Sequence, residues 1–111
     1  MSESFPLDNK KEILKTEKQV VLDIIMRHGI DSPEAMQLIL DWTKNREGRV
    51  QTPNDQIEFE IDRADLYIAA GDVEGAIECL EDALLIIINE NSADRDIQET
   101  RVLGLIKNLS I

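Results

Sequence analysis

Residues 64–84 read A-D-L-Y-I-A-A-G-D-V-E-G-A-I-E-C-L-E-D-A-L. Apolar residues recur every three or four positions on either side of Gly71-Asp72. Ala64, Tyr67 and Ile68 lie before it; Ala76, Ile77, Leu80, Ala83 and Leu84 lie after it. That spacing places one apolar stripe on each of two helices. Gly71 takes the left-handed conformation cheaply and can end the first helix, and Asp72 can accept amide bonds at the start of the second. The alanines allow close approach, with Tyr67 and Leu80 filling the space between. The stretch predicts an antiparallel helical hairpin.

Working outward, the sequence predicts an all-α protein of about five helices: two hairpins and a C-terminal capping helix. The first helix runs from about Asp8 to His28, with Ile13, Leu14, Val20, Val21, Ile24 and Ile25 inward, and Gly29 stops it. D-S-P-E, residues 31–34, then supplies a cap, a first-turn proline and an acid at the positive helix end. The second helix carries Met36, Leu38, Ile39 and Trp42 to about Asn45. Residues 46–52 form the clearest break, and Thr52-Pro53 repeats the cap-plus-proline start. The third helix reaches Ala70, the fourth spans Val73 to about Asn89, and Ser92 opens a fifth with Ile97, Val102, Leu103, Ile106 and Leu109. I-E-F-E-I, residues 57–61, alternates like a strand. The i, i+4, i+7, i+11 fit of Ile57, Ile61, Ala64 and Ile68 favours helix. The whole chain, residues 1–111, is read as one domain, with hairpins at about 8–45 and 53–90 and the last helix at 92–109.

The chain of 111 residues is 42% hydrophobic and 32% charged, with four aromatic residues, a mix that favours helices over sheets. Its formal net charge of -11 is unevenly placed: residues 51–99 hold fourteen acids against Arg63 and Arg95. Direct nucleic-acid binding is therefore not expected, since phosphate contacts need clustered Lys and Arg. A basic protein surface is the natural complement, although acidic faces also serve solubility alone. No apolar run approaches a membrane span, and the polar N-terminus lacks the pattern of a secretory signal. With the lone Cys79, these features make the cytoplasm the expected location.

The order of small and large residues in the second hairpin resembles a tetratricopeptide repeat (TPR), aligned from about Ile57 to Glu90. Ala64, Tyr67, Gly71, Asp72, Ala76, Ile77, Ala83 and Leu84 occupy positions where that family has these or similar residues, and Leu80 stands where it usually has an aromatic. Glu60 replaces the family's early Trp, Arg63 the following Leu, and Ile88 the closing Pro. The first hairpin carries a fainter echo, with Leu22, Ile25 and Gly29 mirroring Ala64, Tyr67 and Gly71, and Ala35 and Trp42 following as Ala76 and Ala83 do. The resemblance implies scaffolding: a groove presented to a peptide or helix, lined here by Glu58, Ile61, Asp65, Ile68 and Ala69; Asp62, on the same helix, is a further partner-binding candidate. Ile61 and Asp65 stand where carboxylate-clamping TPR domains have Lys and Asn, so an acidic, apolar groove for a basic or amphipathic segment is implied instead.

No cofactor, no metal and no catalytic activity is expected. His28 is satisfied by its place at a helix C-terminus, and Cys79 reads as a small buried hydrophobe. Glu58, Asp62 and Asp65 share a helix face, but without a Glu-x-x-His motif they read as a solvated acidic face rather than a metal site. There is no glycine-rich phosphate loop. A-L-L-I-I-I, residues 83–88, is apolar almost all round, which fits either a central helix or a partner surface. Trp42 is either a core lid or an interface anchor. Three functions remain open: a small acidic protein–protein interaction module (adaptor, chaperone or assembly factor), an acidic inhibitor that mimics nucleic acid, and a structural homo-oligomer.

Overall fold

The computed structural model describes residues 9–28 and 32–109, with side chains from residue 17 onward. They form five helices and, among the described residues, no strand: α1 Asn9–His28, α2 Pro33–Glu47, α3 Pro53–Ala69, α4 Val73–Glu90 and α5 Arg95–Leu109. Local chemistry sets most of the boundaries. Ser32 Oγ accepts from Ala35 N at 3.0 Å and Thr52 Oγ1 from Asp55 N at 3.0 Å, each just before a proline in the first turn. Gly71, at φ 87°, closes α3: its amide donates to Ile68 O and the Asp72 amide to Tyr67 O, the paired bonds of a Schellman turn. Asp72 Oδ1 then accepts from Gly75 N at 2.9 Å and starts α4. One residue thus ends the first helix of the hairpin and the next begins the second.

Three boundaries differ from expectation. Helix α2 runs on to Glu47, because Arg46 is a buried helical residue rather than part of the loop. Asn91, at φ 47°, ends α4 in the left-handed conformation, and α5 begins only at Arg95, after a turn over Ser92–Asp94. Gly29 and Asp31 lie outside the described residues, as do the side chains of Ile13 and Leu14.

The core divides into two clusters that share α3. Ile57, Ile61 and Ala64 pack with Ala76, Cys79, Leu80, Ala83 and Ile87 of α4 and Val102 of α5. Phe59 and Leu66, with Ala70 just beyond the helix, pack with Ile25 of α1 and Ala35, Ile39 and Trp42 of α2. At 100° per residue, Ile57 and Phe59 are about 200° apart, on opposite sides of the helix. The strand-like alternation of I-E-F-E-I is therefore the signature of a helix buried on two faces. Trp42 is a core residue, stacked on Phe59 with ring centroids 5.7 Å apart and an interplanar angle of 11°.

Not every apolar residue expected inside is there. Val20 is 51% exposed and Ile97 73%, and Leu103 is exposed too. The inward stripe of α5 is Val102, Leu105, Ile106 and Leu109, at i, i+3, i+4 and i+7, which leaves Ile97 and Leu103 off its axis. The run 83–88 is split: Ala83 and Ile87 are buried, Leu84 and Ile86 are half-buried, and Leu85 and Ile88 look outward.

Candidate interaction surface

Between its two apolar faces α3 carries an acidic strip of Glu58, Asp62 and Asp65, with Ala69 at its end. Lys18 of α1 donates to Asp62 Oδ1 at 2.9 Å and Asp65 Oδ2 at 2.6 Å. Arg46 of α2 donates to Asp62 Oδ2 at 2.9 Å while its guanidinium lies over the Trp42 ring, 5.4 Å from the centroid. Arg101 of α5 makes a forked contact with Glu58, at 2.8 and 3.3 Å. Burial pulls the Lys18 pKa down, but bonds to Asp65 and Asp62 outweigh it and leave the ammonium above the ordinary lysine range. The strip is not a freely solvated face: three helices reach onto it with cations.

The residues expected to face a partner therefore separate. Ile61 is 6% exposed and belongs to the α3–α4–α5 core. Ala69 packs against the α1–α2–α3 cluster. Asp62 is engaged by two cations. Glu58 and Asp65 are ion-paired yet keep close to half of their side-chain surface, and Ile68 is 40% exposed.

The seam between α3 and α4 holds another group, which the sequence marked only as a departure from the repeat pattern. Glu60 is buried; its Oε2 accepts from Gln56 Nε2 at 3.2 Å, whereas its Oε1 has no hydrogen-bond partner, with Arg63 Nη1 3.6 Å away. Burial raises its pKa above the usual carboxylate range. Burial also pushes the nearby Cys79 thiol up to about 12, so it stays protonated and inert. Among the described residues no group of three or more His, Cys, Asp or Glu is placed to hold a metal ion, and no helix is long and apolar enough to cross a membrane.

Among the described residues, the largest block of unpaired charge is on α4. This helix contains Glu74, Glu78, Glu81, Asp82 and Glu90 and no basic residue. Its inward side is filled by Ala76, Cys79, Leu80, Ala83 and Ile87. Directly opposite run Glu74, Glu78, Glu81, Leu85 and Ile88, all exposed, with Leu85 59% accessible at the middle of that face. Glu74–Glu78, Glu78–Glu81 and Glu78–Asp82 are like-charge neighbours along the helix, each costing about 0.2–0.5 kcal/mol. The signal for this face was present in the sequence, as five acids without a base around an over-long apolar run. Its meaning depended on knowing which side of α4 is buried. Comparison with protein families, curated proteins and solved structures gives no match to this chain.

Proposed function

We propose that the chain is a small acidic, cytoplasmic protein–protein interaction module, an adaptor, chaperone or assembly factor, that takes up a basic or amphipathic segment of another protein. The α3–α4 pair is read as a TPR-like hairpin, and the chain as a binder rather than an enzyme. The observation that carries this reading is the outward side of α4, where acids without a base flank an exposed leucine. Charge of one sign beside an apolar anchor gives a partner both long-range attraction and a place to bury surface. The exposed parts of Glu58, Asp65 and Ile68 form a secondary contact region in this reading.

Affinity capture from the source cell, at low and high salt and with added nucleic acid, tests it. The expected result is a protein partner with a basic segment, released by salt and retained against DNA or RNA. Displacement of the partner by nucleic acid would favour the mimic instead, and a chain that captures nothing above a Glu78→Lys/Glu81→Lys control would sink the module reading.

A further inference from the structure

Five of the exposed residues of α4 follow a register. Glu74, Glu78, Glu81, Leu85 and Ile88 are spaced four, three, four and three apart, the alternation by which one helix keeps a seam turned toward another. The other side of α4 is already filled by α3 and α5, so this seam has no partner within the described chain. Its halves differ: acidic toward the N-terminus, apolar toward the C-terminus.

We propose that this seam seats a basic amphipathic helix from another protein, lying antiparallel to α4. The proposal rests on the module reading above and specifies its surface, partner shape and polarity. The partner's apolar residues cover Leu85 and Ile88, and its Lys or Arg residues face Glu81, Glu78 and Glu74. Basic residues are best placed near a helix C-terminus, and antiparallel helices align their dipoles favourably; both put the partner's C-terminal half over the start of α4. Glu74 to Ile88 spans about 21 Å, so about four turns of partner helix match it. A second copy of this chain is a poor occupant, because its own α4 would bring three more glutamates and no base to the same surface.

Three synthetic helical peptides of one composition test this on the full chain by fluorescence anisotropy at low salt. The first carries leucines on its N-terminal half and lysines on its C-terminal half, spaced to meet the seam; the second reverses the halves; the third is scrambled. The first is expected to bind about tenfold more tightly than either of the others, to shift amide resonances over residues 74–88, and to lose affinity about tenfold on Glu78→Lys/Glu81→Lys. Leu85→Ser, at an exposed site that leaves the helical circular dichroism unchanged, is expected to weaken it about fivefold. Equal binding of all three peptides, or tighter binding of the reversed one, overturns the proposal. So does a chain whose mass doubles with concentration and returns to monomer on Leu85→Ser. Peptide binding that shifts another helix and ignores the α4 variants overturns the seat alone; failure of every basic peptide to bind overturns the module reading with it.

Discussion

Glu60 is the residue at which local rules are most strained. It occupies a core position between α3 and α4 with one carboxylate oxygen that accepts no hydrogen bond and meets only Arg63 Nη1, at 3.6 Å. Burial is the main cause of its raised pKa; Arg63 opposes the rise, Asp82 adds to it and Gln56 opposes it. The folded state thus favours the protonated acid. Stability from this group is fully present below the unfolded value of about 4.3 and is lost as pH rises through the higher folded value. Glu60→Gln keeps the size and the bond to Gln56 without the buried charge, while Arg63 retains its place over the Tyr67 ring. The variant is expected to be about 1 kcal/mol more stable than wild type at neutral pH, with the gap closing toward pH 4. Urea unfolding across that range measures it, and a gap independent of pH would refute the assignment.

At the scale of the helix, space decides what propensity alone cannot. A methyl group at Gly104 of α5 would meet nothing within 4 Å, so Gly104→Ala is expected to raise stability by about 1 kcal/mol. At Gly75 the same methyl would lie 2.8 Å from the capping Asp72 carboxylate and 3.2 Å from the Tyr67 ring. Gly75→Ala is therefore expected to lose that gain and to lower the melting temperature. A second pair separates core from surface on α3. Ile61→Glu buries a charge in the α3–α4–α5 core and is expected to cost at least about 3 kcal/mol, whereas Ile68→Glu, at a partly exposed site, changes stability by no more than about 0.5. Thermal melts of the four variants give the ordering. The helices were legible in the sequence because their signals are local: Ser32-Pro33, Thr52-Pro53 and Gly71-Asp72 each act within five residues. The acidic strip on α3 was legible as a strip, but its neutralisation was not. Lys18, Arg46 and Arg101 lie 16 to 47 positions from the acids they meet, and only the packing of α1, α2 and α5 onto α3 brings them there.

Over the whole molecule, the net charge of -11 conceals two acidic surfaces of opposite energetic character. On α3 the acids hold helices together, because Asp62 is shared by Lys18 and Arg46 from separate elements and Asp65 is held by Lys18. On α4, Glu78 and Glu81 have no cation within ion-pair distance among the described residues and repel their own neighbours. Reversing either pair to lysine changes the net charge by the same amount, so relief of overall self-repulsion is common to both variants and only the local environment differs. Glu78→Lys/Glu81→Lys is expected to raise stability by about 0.5 kcal/mol at low salt, and the gain should shrink as salt screens the exposed charges. Asp62→Lys/Asp65→Lys is expected to lower it by about 2–3 kcal/mol, because it sets new cations against the half-buried Lys18 and the buried Arg46. Melting curves of the two variants at two ionic strengths decide the matter. Shifts of the same sign would mean that total charge governs both surfaces; shifts of opposite sign would leave α3 as the acidic surface the fold needs and α4 as the one it can offer to a partner.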